Sequence, residues 1–516
     1  MYYTYSLILT SLGGATVSAD LSKTAHADDD SDQSTAKAIW IVVTLCVGGL
    51  VASLMQTLII PIQPELPRLL GTSSSNASWV ITATLLAAAV AMPVAGRLGD
   101  MFGKQRILLI SAGLLVVGSL ICAIGSGLLP MIIGRAVQGL AMGFVPLGIS
   151  LMREVTPPHM TSMAVAAMSA TLGVGGAVGL PLSAWVAQQW DWHALFWMSA
   201  VLAVVITALV AVVVPRVDDA VGGNFDAIGA ILLGVGLVAA LIAVSKGNDW
   251  GWGEPTTLGL LIGGLAVLVI FGLYELRQTD PLVDLRTTAR PAVLLTNIAA
   301  IAIGFGMMAQ SIVIPQLLEL PTATGYGLGQ SLLAAGLWMA PGGLMMLLFA
   351  PVSGGMINRF GAKPTLALGA TVLGVGYLAA LLLMNAPWQL LVASIIGCAG
   401  VGIGYAAMPT LIMDATPIEE AGAAVGLNGL MRSVGTTTAS AVMAMVLTSS
   451  TIDLGGHAVP AESTFHLCFL IGAIAAFVGA AITLFIPVAK RSRTKPIGFS
   501  SEVTSPHLDT PAASQA

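Results

Sequence analysis

Long apolar runs alternate with short polar interruptions along almost the whole chain. The runs cover about residues 39–60, 77–95, 107–125, 129–151, 163–185, 194–214, 227–245, 258–276, 293–313, 328–352, 365–384, 390–413, 421–447 and 465–488. Each is near the length of about 20 residues that a helix needs to cross the hydrocarbon of a bilayer. The pattern therefore predicts fourteen membrane-spanning helices and an all-α integral membrane fold. Two longer polar breaks, at 216–226 and 277–291, group the spans as six, two and six. The organisation that follows is a disordered cytoplasmic tail over 1–36, a six-helix half over 37–214, an inserted helix pair with flanking cytoplasmic loops over 215–292, a second six-helix half over 293–488, and a cytoplasmic tail over 489–516. The first tail ends in an acidic stretch around Asp28–Asp32 and lacks the basic start of a secretory signal.

Composition supports the same class. Of 516 residues, 56% are hydrophobic and 9% charged, against about 25% charged in a soluble globular chain. The net charge of −5 changes little, because the acids sit mostly in tails and loops. The four cysteines, Cys46, Cys122, Cys398 and Cys468, lie in or beside apolar runs without metal-like spacing and read as buried packing residues.

Charge sets the orientation. Of the 20 Lys and Arg, Arg135 and Arg432 lie within spans, and only Arg68 and Lys246 fall in the loops of one side. All the others fall on the opposite side if both termini share it. Basic residues in short loops stay cytoplasmic, so both termini are predicted to be cytoplasmic, in the inner or plasma membrane.

The most informative polar interruption is Gly96–Arg106, GRLGDMFGKQR, between the second and third spans. Gly96, Gly99 and Gly103 permit a tight turn and a close neighbour; Arg97, Lys104 and Arg106 hold the hairpin on the cytoplasmic side; Asp100 can cap a helix or pair with a base. A second copy, GGMINRFGAKP, stands between the tenth and eleventh spans, with Gly354 and Gly361 at the positions of Gly96 and Gly103, Asn358 where the first copy has Asp100, and the bases Arg359 and Lys363 beside them. Two repeated helical halves with a site between them near the midplane form a transporter architecture.

This spacing resembles the loop between helices 2 and 3 of the major facilitator superfamily, and the six-two-six grouping resembles its fourteen-span drug:proton antiporter branch of multidrug efflux type. The resemblance covers nearly all of residues 37–488. Supporting features are Phe225-Asp226 before the inserted pair, Trp250-Gly251-Trp252 between its helices, and Trp190, Trp192 and Phe196, which can also serve as interface anchors. Gly134–Gly139, with Arg135 and Gln138, is similar to the family's helix 4 motif, whose arginine is linked to proton movement. An arginine inside a span costs at least about 2.5 kcal/mol at the bilayer centre, so Arg135 either serves that role or bonds helix-end carbonyls. In the fifth span, Gly175, Gly179 and Pro181 resemble the antiporter motif of the exporting branches, although Leu180 separates glycine from proline. Gly175, Gly179 and Ser183 also form a small-residue stripe suited to close helix contact. Arg432 matches an arginine frequent in the family and is expected to snorkel to the interface.

One feature departs from the branch. An aspartate expected in the first span is replaced by Met55 in Leu54-Met55-Gln56-Thr57, and no acid lies near the centre of any span. Neutral or anionic amphiphiles are then favoured over cationic ones as cargo, and either proton coupling falls to Asp100, Glu154 or an acid at a span end, or the carrier is not proton-coupled. There is no G-x-x-x-x-G-K-[ST], no H-E-x-x-H and no G-x-S-x-G, so neither direct ATP use nor these hydrolytic chemistries is expected. The reading is a secondary active exporter of hydrophobic or amphipathic compounds, driven by the proton gradient through alternating access, without cofactor, metal or nucleic-acid partner. The bilayer and a small amphipathic substrate are its partners, and the resemblance implies a monomer. The alternatives are a dedicated carrier for one metabolite and a non-transporting receptor of the same fold.

Overall fold

A computed structural model describes residues 36–60, 62–216, 222–454 and 457–487. The expected tails fall outside the described residues, apart from Ala36. Fourteen helices in it are long and apolar enough to cross a membrane. In chain order they are α1 Ala36–Thr57, α2 Trp79–Phe102, α3 Lys104–Ile124, α4 Leu128–Val155, α5 Pro158–Gln189, α6 His193–Val213, α7 Ala227–Trp250, α8 Pro255–Glu275, α9 Pro291–Glu319, α10 Leu332–Phe360, α11 Ala362–Leu382, α12 Pro387–Ala415, α13 Ile418–Ser449 and α14 Glu462–Leu484. Only helices satisfy their own backbone polar groups in lipid, which is why so apolar a chain resolves into them.

Most of the buried apolar side chains gather in three cores, beside a small cluster of Ala52, Ala88, Met92 and Met142. One joins α1 to α6, a second joins α9 to α14, and a smaller third holds α7 and α8 against α2 and α13 through Leu86, Leu233, Leu237, Phe271 and Leu430. The apolar windows of α8 and α12 are 17% and 72% buried, so the inserted pair is peripheral and α12 is central. Two seams join the large cores, α2 against α13 and α5 against α10.

Several helices run longer than the apolar runs suggest. Charged and polar residues at the helix ends extend them past the hydrocarbon, as at Pro158–Gln189 and Leu332–Phe360. Proline interrupts α5 at Pro181 and α10 at Pro341 and Pro351. Such prolines are tolerated where neighbouring helices re-satisfy the freed carbonyls. A short antiparallel pair, β1 Thr451–Leu454 and β2 His457–Pro460, links α13 to α14 and was not expected from the apolar pattern. Tyr326, in the segment between α9 and α10, fastens it by donating its hydroxyl to the Pro460 carbonyl.

The aromatic signature after α5 is only partly an interface anchor. Trp190 is exposed, but Trp192 and Phe196 are buried and meet edge to face with centroids 6.0 Å apart. Of the cysteines, Cys122 and Cys468 are buried as expected, whereas Cys46 and Cys398 are only partly so.

Candidate functional site

The expected loop at residues 96–106 is not a loop. α2 continues to Phe102 and α3 begins at Lys104, leaving Gly103 alone between them with φ +93°. A side chain there would be strained, and the glycine reverses the chain without spending further residues. Because the helices run to the turn, Asp100 and Lys104 are buried rather than solvated, at 1% and 2% exposure. Arg97 is half-buried beside a cleft lined by Asp280, Asp284, Glu419 and Glu420. Of the three bases of this segment, Arg106 is the exposed one.

Asp100 reaches across the seam. Its carboxylate accepts from the backbone N–H of Gly422 at 3.1 Å and of Ala423 at 2.8 Å, in the opening turn of α13. The first N–H groups of a helix lack intrahelical partners and carry the positive end of its dipole, so an anion is favoured there. Lys104 Nζ lies 3.4 Å from Asp100 and 2.7 Å from Glu154 Oε1 of α4. A buried chain of charge thus runs from Glu154 through Lys104 and Asp100 to α13. Arg153, beside Glu154, adds a second bond between the halves by donating to the Met413 carbonyl at 2.7 Å.

This contact depends on Gly96. A Cβ added there would strike the Gly422 carbonyl oxygen. Gly96→Val is therefore expected to push α13 away from Asp100 and to lower the unfolding temperature of the purified protein. An unchanged unfolding temperature would show that the approach is dispensable.

Arg135 sits in α4 at 1% exposure. Its Nη1 donates to the Met55 carbonyl at 2.8 Å and to Gln138 Oε1 at 2.9 Å, and its Nε to the Val80 carbonyl at 3.4 Å. Gln138 in turn donates to Ser119 Oγ at 2.9 Å. One guanidinium ties α1, α2 and α4 together, and Gln138 extends the link to α3. Met55, standing where the branch would place an acid, supplies its carbonyl to the arginine instead.

The α5 stripe faces α1. Cβ atoms added at Gly175 and Gly179 would meet Ser53 and Thr57, and Ser53 donates to the Leu172 carbonyl at 2.7 Å. Pro181 lies against Gly336 of α10. In the second copy of the loop motif, Gly361 repeats Gly103 with φ +93° and Gly354 abuts Met163 of α5. Asn358 and Arg359 are exposed there, so the repeat reproduces the turn and the close approach but buries no counterpart of Asp100.

Two bases depart from what the sequence suggests, and the capping role of one acid was missed. Arg432 does not snorkel: it is 8% exposed, in the middle of α13, with its Cζ 5.0 Å from the centre of the Tyr405 ring. Lys246 is not in an outer loop but buried near the end of α7, donating to Ser78 Oγ and, at 3.1 Å, to Asp249, with Nζ 5.5 Å from the Trp79 ring. Asp226 caps α7 by accepting from Gly229 N at 2.8 Å and also accepts from Tyr274 Oη at 3.1 Å, beside the buried Glu275. Its position just before an apolar run was the available signal for the cap.

Two helical halves meet along paired seams, with charge buried at one end of one seam, an arrangement of the kind seen in membrane transporters built from repeated halves. The chain belongs to the Major Facilitator Superfamily, whose sequence profile matches residues 45–440 and 296–510. This is a family of transporters, not enzymes, and fourteen spans fit its fourteen-span branch. The chain is 27% identical over 446 residues to the uncharacterized MFS-type transporter Rv1877 of Mycobacterium tuberculosis, a match covering 83% of this chain and 63% of that relative. It is also 27% identical over 421 residues to the tetracenomycin C resistance and export protein of Streptomyces glaucescens, covering 80% and 76%. Among solved structures, the human organic anion transporter MFSD10 (TETRAN) shares the fold with a TM-score of 0.61 at 13% identity, covering 86% of this chain and 99% of that one.

Proposed function

We propose that the protein is a secondary active exporter of hydrophobic or amphipathic compounds, a multidrug efflux carrier of the plasma membrane that works by alternating access and proton antiport. Both termini are cytoplasmic in this reading, and the carrier acts as a monomer without cofactor. The observation that carries it is the Asp100 contact with the first N–H groups of α13. With the basic loops cytoplasmic, this contact closes the cytoplasmic end of the seam between the halves, so the conformation is outward-facing. Alternation requires the contact to break. A proton arriving at the Glu154–Lys104–Asp100 chain removes the charge that holds α13 and frees the cytoplasmic end to open. Export as the direction is supported by the relative named for tetracenomycin C resistance and export.

The test is accumulation of a lipophilic fluorescent dye in cells lacking their own pumps. Asp100→Asn keeps the shape but removes the charge; a hydrogen bond to a charged group contributes roughly 1.5–3 kcal/mol, so efflux is expected to fall about tenfold or more. A protonophore is expected to abolish it in the intact protein. Dye levels indifferent to the protein, with the protein present in the membrane, would sink the reading.

A further inference from the structure

Two arginines are buried inside spans, and they are not alike. Arg135 is satisfied by two carbonyls and an amide. Arg432 is also more than nine-tenths buried, yet its Nη1 has no hydrogen-bond partner among the described residues. Its surroundings are neutral. The Tyr405 ring lies under the guanidinium, Tyr405 Oη is turned away to donate to Met307 Sδ at 3.0 Å, and the Gly304 side of α9 packs against its backbone. Met92 of α2, from the other half of the protein, approaches Gly429 one turn away and accepts from Ser433 Oγ at 3.8 Å. The acids of the spans stand at span ends, so none of them serves as an internal counter-ion here.

The energetics do not close without one more partner. Burying a lone cation costs several kcal/mol, and a cation–π contact returns about 2 kcal/mol at best. Depth matters as well. Ten residues separate Gly422 from Arg432 along α13, roughly 15 Å at 1.5 Å per residue, about half of the ~30 Å hydrocarbon core. A guanidinium with an unpartnered Nη1, near the midplane of the helix that meets the other half, is placed where a carrier of this architecture holds its cargo. A guanidinium presents a planar fork of donors that matches a carboxylate or sulfonate, and Met92 and Met307 offer adaptable apolar surface for the rest of the molecule.

We propose that Arg432, seated on Tyr405, is the anion-recognising point of the substrate site and takes the negatively charged head of an organic anion with an apolar body. This deepens the export reading by naming the cargo's charge, and rests on it for the word substrate.

The experiment uses the purified full-length protein in nanodiscs and two matched probes, 11-(dansylamino)undecanoate and its uncharged amide. The intact protein is expected to bind the acid at least about tenfold more tightly than the amide. Arg432→Gln is expected to bring that ratio to about one while keeping amide affinity, which also reports that the variant is folded. If Arg432→Gln loses both probes, Arg432→Lys decides: part of the acid preference survives if the charge is what counts, and its disappearance overturns the site. No preference in the intact protein, no binding of either probe, or a preference undisturbed in Arg432→Gln overturns it too. Dye efflux failing while the preference stands would sink the export reading alone; efflux without the preference would sink only this assignment.

Discussion

Lys104→Met should cost about 3–5 kcal/mol of stability, the penalty for removing one partner from a buried ionic cluster. Lys104 is 2% exposed and lies between two carboxylates, 3.4 Å from Asp100 and 2.7 Å from Glu154. Methionine fills similar space without the ammonium, so two carboxylates from different helices are left facing one another in a low dielectric. Thermal unfolding of the purified protein in detergent measures the loss. Adding Glu154→Gln to the same chain removes one of the two facing charges and is expected to recover part of it. The double variant thereby separates electrostatics from lost packing, because packing around residue 104 is the same in both. If Lys104 acted only as a loop charge that orients the hairpin, the single variant would unfold at the wild-type temperature. In that case the chain from Glu154 to α13 would have no energetic reality.

That residue shows where legibility ended. The span pattern was readable because a bilayer imposes one length scale, and the turn at Gly103 was readable because its spacing with Phe102 repeats at Phe360 and Gly361. The internal repeat therefore announced itself in sequence. What the sequence concealed was facing. In lipid both the outer and inner sides of a helix are apolar, so no amphipathic stripe tells which residues look inward. Lys104 counted as a cytoplasmic base, Lys246 as an outer-loop base and Arg432 as a snorkelling one, and all three turn inward. Lys104 and Lys246 do so because helices continue through segments that look like loops. Arg432 does so because α13 lies in the seam between the halves, a fact of tertiary packing that hydropathy does not encode. Arg135 was legible as buried because its run is apolar on both sides, but its partners were not. Two of them are backbone carbonyls, at Met55 and Val80, which any residue could have supplied. The repeat also overstated symmetry: Gly354 and Gly361 copy the geometry of Gly96 and Gly103, while exposed Asn358 does not copy Asp100.

Arg135→Ala is expected to be more damaging still, in the range of a large-to-small core change with unsatisfied acceptors added. Each buried acceptor left without a donor costs about 1–3 kcal/mol, and this variant strands the Met55 carbonyl and the Gln138 oxygen together, while the Val80 carbonyl keeps the Thr84 hydroxyl at 3.3 Å. Arg135→Lys supplies one point donor in place of a fork and is expected to recover only part of the loss. Gln138→Leu leaves the two carbonyl bonds standing and frees only Ser119 and one guanidinium hydrogen, so its cost is expected to be the smallest, about 1–3 kcal/mol. Unfolding temperatures in the order Gln138→Leu, Arg135→Lys, Arg135→Ala, from mildest to most severe, would identify Arg135 as the strut that holds α1 and α2 against α4. The family resemblance points instead to proton movement, and the same three variants separate the two roles. A relay residue would leave the unfolding temperature of Arg135→Lys near wild type while proton flux, measured in vesicles, uncoupled from substrate flux. Stability and coupling lost in parallel would mean that coupling depends on the strut: when α1 and α2 are no longer held against α4, movement of the half at Asp100 cannot be transmitted to the midplane.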